Sequence, residues 1–361
     1  MMDVILLVAA FAVALAASFF STPLVKRLAI ALGAVDKPDQ QRKTHEGIKT
    51  SMGGLAILIG AVAGLLLIRP EHPQFVAIAA GGLIMMATGM LDDVLELKPL
   101  MKLFGQVLAA VTVVASGLLI DKITLPFFGI IYFGDMGSVL ITIFWILAVT
   151  NAINLIDGLD GLAAGVSTIA LISMFIMAIA DQRLIVVYLA LVLIGSCIGF
   201  LFHNFYPAKI FMGDTGALFL GYAIAVVSVL GLFKNIAFFS FIIPIVVIAV
   251  PIFDTIFAIV RRLINKQSIG MADKGHIHYR LMAMGYSHRA SVLIIYGFSI
   301  FFGVMAIVFN GATLKASVLI LGAVLLGIQI IAELAGVVMN GQQPLLNSIR
   351  SLLTKKRRNY E

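Results

Sequence analysis

The stretch 137–180, GSVLITIFWILAVTNAINLIDGLDGLAAGVSTIALISMFIMAIA, decides the fold. It holds two apolar runs, 137–154 and 162–180, each close to the roughly 20 residues a helix needs to cross a bilayer. Between them sit Asn154, Asp157 and Asp160. A carboxylate at membrane depth is costly and persists where it lines a polar cavity or binds something. Residues three apart share a face on a helical turn, so Asn154, Asp157 and Asp160 can converge. Gly158, Gly161 and Gly165 permit close approach of a ligand or neighbouring backbone. Oxygen donors of this kind suit hard Mg²⁺. Simple capping of two helices accounts for one acid, not for two acids together with Asn151 and Asn154.

The same pattern extends through the chain. Of its 361 residues, 61% are hydrophobic and 12% charged; soluble domains run nearer ~45–50% and ~25%. The fold class expected is an all-α polytopic membrane protein. About eleven transmembrane helices are expected, at 3–22, 52–69, 74–91, 103–120, 137–154, 162–180, 184–203, 215–233, 236–260, 291–309 and 316–338. The 121–136 stretch reads as a short extracytoplasmic β-hairpin. Residues 1–338 form a single transmembrane catalytic domain, and 339–361 a basic cytoplasmic tail. The first apolar run has no basic residue before it and Lys26-Arg27 after it, the order of an uncleaved helix rather than a signal peptide. Cys197 is the single cysteine, so no disulfide framework is expected.

A net charge of +7 could suit a nucleic-acid binder, but its distribution is that of membrane orientation. Twenty of the 25 Lys and Arg residues fall in the loops 23–50, 92–102, 204–214, 261–290 and the tail; Arg69, Lys122, Arg183, Lys234 and Lys315 fall on the other side. The positive-inside rule places the N-terminus outside and the C-terminus inside the cell membrane, with every acidic or histidine cluster on the cytoplasmic face.

Three further clusters accompany the first. Asp92-Asp93 closes one span, and Lys102 opens the next, where charge and helix N-terminus would both favour a phosphate; the alternative is a solvated loop. In FMGDTGALFLG, 211–221, Asp214 could ligate a metal, the free N–H groups of the following helix could face a pyrophosphate, and Phe211 offers a flat surface for a base; the alternative is an Asp N-cap. In DKGHIHYRL, 273–281, His276, His278 and Arg280 suggest contact with phosphate or sugar, and zinc there lacks further ligands. Asp254 is expected to support the site, Glu333 to be structural, and His45 to be peripheral. Walker spacing is absent, which excludes a P-loop. A secondary transporter is the rival class, but transporters place such acids near the midplane and often carry inverted repeats.

DDVLELKPLMK, NAINLIDGLDGLAAG, FMGDTGALFLG and HIHYRL, with HEGIKTSMGG at 45–54, together resemble the polyprenyl-phosphate N-acetylhexosamine-1-phosphate transferases. The resemblance implies Mg²⁺-dependent transfer of a sugar 1-phosphate from a UDP-sugar to undecaprenyl phosphate, with release of UMP; Mn²⁺ is the expected substitute. HIH followed by Tyr-Arg-Leu is similar to the UDP-GlcNAc branch, which initiates teichoic acid, O-antigen or related glycans. The muramoyl-pentapeptide branch of peptidoglycan synthesis is the alternative. Tyr279 departs from the further His that many GlcNAc members carry. Carried over by position, the pattern makes Asn154 and Asp214 metal ligands, and Asp160 and Phe211 uracil contacts. Lys102 would hold the lipid phosphate, and His276 and His278 would face pyrophosphate and sugar. Asp92, Asp93 and Asp157 are the remaining catalytic acids, and His45 and Arg280 are candidate substrate contacts. Expected partners are UDP-GlcNAc, undecaprenyl phosphate and the lipid bilayer, with a second copy of the chain as a further candidate and no nucleic acid.

Overall fold

In the computed structural model, one helix, Gly213–Leu230, is buried without interruption from Thr215 to Val229. A helix apolar on all sides belongs inside a bundle. The structure describes residues 4–36, 49–125, 129–231, 242–267 and 275–336, with Pro344 and Asn347. In chain order the elements are α1 (Val4–Leu32), β1 (Val35–Asp36), β2 (Lys49–Thr50), α2 (Gly54–Ile68), α3 (Phe75–Leu95) and α4 (Pro99–Val114). Then come β3 (Lys122–Leu125), β4 (Gly129–Tyr132), α5 (Asp135–Ile156), α6 (Leu162–Ala180), α7 (Leu184–Asn204) and α8 (Gly213–Leu230). The last are α9 (Ile242–Val247), α10 (Ala249–Ile264), α11 (Ile277–Ala283), α12 (His288–Asn310) and α13 (Leu314–Leu334).

Helices α2, α3, α5, α6 and α7 all touch α8. Peripheral α1 packs on α2 and α7 through Ala10, Ala14, Ser18 and Thr22, a row of small buried residues at four-residue spacing. Opposite them, a Cβ on Gly60 would meet the Ala14 carbonyl, and one on Gly199 the Leu15 carbonyl. Small residues facing each other are how helices approach closely in lipid, where the hydrophobic effect does little to drive them together.

Eight described helices are long and apolar enough to cross a membrane: α1, α3, α5, α6, α7, α8, α12 and α13. The other expected spans differ. Segment 52–69 forms α2 with 15 residues, and 103–120 forms α4 with 16, ending at Val114. The segment expected at 236–260 is divided; its residues 236–241 lie outside those described, and the remainder breaks at Ile248 between α9 and α10. Pro251 explains the break, because it has no N–H to offer the Val247 carbonyl and its ring clashes with that carbonyl. The hairpin expected in 121–136 is present as β3 and β4, with Ile123 opposite Ile131 and Leu125 opposite Gly129.

Two small elements went unanticipated, and both adjoin the cavity described below. Strands β1 and β2 pair Val35 with Thr50 and Asp36 with Lys49, and helix α11 occupies the histidine loop. After β2, the chain is tied to the segment before α8: Phe211 N–H donates to Thr50 O (2.8 Å), Gly53 N–H to Phe211 O (3.0 Å) and Gly54 N–H to Met212 O (3.0 Å). Gly54 lies directly against the Gly216 backbone, with no room for a Cβ on either side. Gly54→Leu should therefore force α2 from α8 and lower stability by about 1–3 kcal/mol, seen as a reduced thermal midpoint in detergent. An unchanged midpoint would show that this contact does not set the spacing.

Candidate active site

Four helix ends meet at one polar point. Asp92 near the end of α3, Lys102 in the first turn of α4, Asn154 near the end of α5 and Asp214 at the start of α8 surround the Lys102 ammonium. Its Nζ lies 2.8 Å from Asp92 Oδ2, 2.6 Å from Asp214 Oδ1 and 3.4 Å from Asn154 Oδ1. Asn154 Nδ2 also donates to Asp214 Oδ1. Lys102 is placed there by the start of α4: Lys98 is extended and Pro99 opens the helix, a position where its missing N–H costs nothing.

Asp93 points elsewhere. Its Oδ1 accepts from Asp214 N–H (3.0 Å), and its Oδ2 accepts from Thr215 N–H (3.0 Å) and from the Thr215 hydroxyl (2.5 Å). A carboxylate from α3 thus caps the first turn of α8. This corrects the expectation that the N–H groups beginning α8 are open to a pyrophosphate: those of Asp214 and Thr215 are already engaged.

Around this point lies a cavity of about 1030 Å³, also lined by Asp157, Asp160, Phe211 and Lys49. Asp157 follows the last residue of α5. Loss of water pushes its carboxyl up to about 8, and the charges of Asp214, Asp93 and Asp160 add to the shift. The Asp92 and Asp214 carboxylates outnumber the one ammonium between them, and Lys49 sits against Asp160 on the opposite wall, so negative charge is in excess around Lys102. A hard cation would relieve it, and oxygens of Asn154 and Asp214 already converge on the ammonium. By charge and donor type, these residues fit a divalent cation.

The opposite wall is built on Asp160. Its Oδ2 accepts from Ala208 N–H (2.9 Å) and faces Lys49 Nζ at 3.4 Å, while Oδ1 has no partner among the described residues. Lys49 Nζ also lies over the Phe211 ring, 4.8 Å from its centroid. Asn204, the last residue of α7, accepts from Gly161 N–H (3.1 Å) and donates to Ile210 O (3.0 Å). It thereby joins the loops on either side of the cavity.

The histidine loop is placed differently from expectation. His276 and His278 are buried and stacked with ring centroids 5.9 Å apart, and neither lines the cavity; Tyr279 does. Asp254 of α10 accepts from Ile277 N–H through Oδ1 (2.9 Å) and bonds His276 Nδ1 through Oδ2 (2.8 Å). His278 has no hydrogen-bond partner among the described residues, and burial pushes it down to about 4, so it is neutral. Its Nε2 occupies the space a Gly158 side chain would need. Arg280 does not reach the cavity either; its Nε donates to Leu334 O at the end of α13 (3.2 Å). Glu333 is wholly buried beside Gln329. His45 lies outside the described residues. Sequence reasoning passed over Asn204, Tyr206 and His288, which all line the cavity. Asn204, at the end of an apolar helix, repeats the signal of Asn154; the other two carried none.

Residues 75–232 match the model of glycosyl transferase family 4. The chain is similar to the probable undecaprenyl-phosphate N-acetylglucosaminyl 1-phosphate transferase of Bacillus subtilis (strain 168), 47% identical over 351 residues, 97% of this chain and 98% of that one. The chain belongs to glycosyl transferase family 4. It is also 36% identical over 311 residues to the decaprenyl-phosphate N-acetylglucosaminephosphotransferase of Mycolicibacterium smegmatis, covering 77% of this chain and 76% of that one. Likeness to the phospho-N-acetylmuramoyl-pentapeptide-transferase of Desulforudis audaxviator, 35% identical, covers 50% of this chain and 62% of that one. Within this family 4 chain, the matched region holds Lys102 with Asp92, Asn154 and Asp214 around it, and also Asp160 and Phe211. Lys49, the histidine loop and His288 fall outside it.

The cap on α8 can be separated from chemistry. Asp93→Ala should cost about 1–2 kcal/mol of stability, as loss of a helix cap does, and Asp93→Asn, which keeps one acceptor oxygen, should cost less. Loss of turnover in Asp93→Ala with an unchanged unfolding midpoint would instead place Asp93 on the substrate.

Proposed function

We propose that this chain transfers GlcNAc-1-phosphate from UDP-GlcNAc to undecaprenyl phosphate, releasing UMP and forming undecaprenyl-pyrophosphoryl-GlcNAc, the first step of an envelope glycan. The observation that carries it is the lysine clasp: a cation flanked by acids and an amide, in a polar cavity at the ends of apolar helices. The relative matched along nearly its whole length is named for GlcNAc transfer to undecaprenyl phosphate. The muramoyl-pentapeptide relative matches only half of this chain, which favours the GlcNAc reading.

Phosphoryl transfer needs positioning and charge neutralisation above all. Lys102 would receive the acceptor phosphate, and an oxygen of that phosphate would attack the phosphorus bearing the sugar. The bond to the bridging oxygen breaks, and that oxygen leaves with UMP. Asn154 and Asp214 would hold Mg²⁺, which offsets pyrophosphate charge when bound. Asp92 would orient Lys102 and the incoming phosphate. Phe211 would stack on uracil, and the open Oδ1 of Asp160 would accept from the uracil imide. Purified protein given undecaprenyl phosphate, Mg²⁺ and a panel of UDP-sugars should yield GlcNAc-pyrophosphoryl lipid and UMP by mass spectrometry, and chelator should stop it. Selective use of UDP-MurNAc-pentapeptide would overturn the sugar assignment. Uptake of UDP-sugar into vesicles without UMP would favour a transporter.

The proposal includes eleven spans with the site on the cytoplasmic face and the β3–β4 hairpin outside, supported by the charge distribution. Cys197 is buried and leaves a quiet background for labelling. Leu100→Cys and Ala272→Cys should resist impermeant maleimide in intact cells, and Asp121→Cys should react. The reverse pattern would sink the orientation and the cytoplasmic donor with it.

A further inference from the structure

His288 belongs to no stretch that the function has used, and it lies outside the region matched by the family model. Yet it lines the cavity and touches Asp160 directly: the Asp160 backbone N–H donates to His288 Nε2 at 3.0 Å. A backbone N–H can only donate, so Nε2 must carry a lone pair, and the ring is neutral with its proton on Nδ1.

The ring is held on other sides as well. It is the first residue of α12, whose start is set by Ser287, whose hydroxyl oxygen accepts from Ala290 N–H (3.3 Å). Its plane stacks on Tyr206, with centroids 4.5 Å apart and planes 30° from parallel. Tyr206 is in turn held by Arg289, which donates from Nη2 to its carbonyl (3.3 Å) and lies over its ring at 5.4 Å. The next residue after Asp160 is fixed too, since Tyr296 donates to Gly161 O (2.5 Å). Two residues of α12 therefore grip the loop at its backbone, while Ala208 N–H and Lys49 hold one oxygen of the Asp160 side chain. What remains free, and aimed by this grip, is Asp160 Oδ1.

We propose that His288 is a positioning residue for base recognition: as a neutral acceptor it fixes the Asp160 backbone, so that Oδ1 meets the imide N–H of a uracil ring. The assignment rests on the reading of Asp160 as the uracil contact. Its consequence is a selectivity. Uracil presents N–H at its third ring position, where cytosine presents a bare nitrogen that a carboxylate repels. A well-placed Asp160 should thus separate uridine from cytidine nucleotides, and a loosened one should separate them less.

The test is competition by UMP and by CMP in the purified full-length enzyme, with direct titration of both nucleotides. His288→Gln keeps an acceptor near the place of Nε2 but loses the ring; His288→Phe keeps a ring for Tyr206 but loses the acceptor. Loss of one hydrogen bond predicts that His288→Phe weakens UMP about five- to tenfold, with CMP unchanged and the KM for the lipid unmoved. His288→Gln should stay within about twofold of wild type on the same scale. Should His288→Phe fail to fold, His288→Leu, equally without an acceptor, replaces it. The assignment is overturned if UMP binding survives loss of the acceptor, if UMP and CMP weaken equally, or if His288→Gln fails as badly as His288→Phe. A wild-type enzyme that binds neither nucleotide would instead overturn the proposed function.

Discussion

The ammonium of Lys102 is the point on which the arrangement depends. Asp92, Asp214 and Asn154 reach it from α3, α8 and α5, while α4 supplies the lysine itself. Taking charges out of water is expensive, and a buried pair repays that cost only if its remaining donors and acceptors are satisfied. Here they largely are: Asp92 Oδ1 accepts from Leu97 N–H (2.8 Å) and Asp214 accepts from Asn154. A cluster of this kind is poor evidence of stability. It is better understood as a site kept charged for a ligand, with the lysine balancing acids that would otherwise repel one another.

Precision at that point comes from backbone held at close range. The β2 strand and the chain beyond it hydrogen-bond to the segment leading into α8, and Gly54 and Gly216 meet without side chains between them. Asp93 then fastens α3 to the first turn of α8. These contacts set where Asp214 stands relative to Asp92 and Lys102, so adjacent aspartates in one motif have different duties. A helix places neighbouring side chains about 100° apart, which is why, at the wall of one cavity, Asp92 reaches the Lys102 ammonium while Asp93 reaches the first turn of α8.

Much of this was legible in the sequence, for identifiable reasons. Polar residues at the ends of long apolar runs stand out against hydrocarbon, so Asp92, Asn154, Asp157, Asp160 and Asp214 could be found by contrast alone. That signal marks where polar groups gather, and these five do line one cavity; it does not say which way each one points. Arg280 looked like a phosphate contact because it is basic and beside two histidines, but its partner is the carbonyl end of α13, which no local pattern announces. The break at Ile248 inside the stretch 236–260 was not legible because hydropathy sums over a window and does not register the missing N–H of Pro251. His288 and Tyr206 were silent because their roles arise from a contact between α12 and the loop after α7, distant in sequence.

The location of the site follows from the reaction that it would serve. One substrate is a phosphate on a membrane-soluble chain and the other a water-soluble nucleotide, so their reacting atoms can meet only where apolar helices end in a polar cavity. A site at the midplane would strip water from the donor's charges, and a site on an extramembrane domain would draw the lipid phosphate out of its leaflet. Helix ends resolve the conflict, because their last turns can carry Asp, Asn and Lys while the rest of each helix stays in hydrocarbon. The loops between those ends are then short of anchors in water. This explains why α12, itself long enough to span a membrane, lends its first residue, His288, and Tyr296 two turns further in to hold the Asp160 loop.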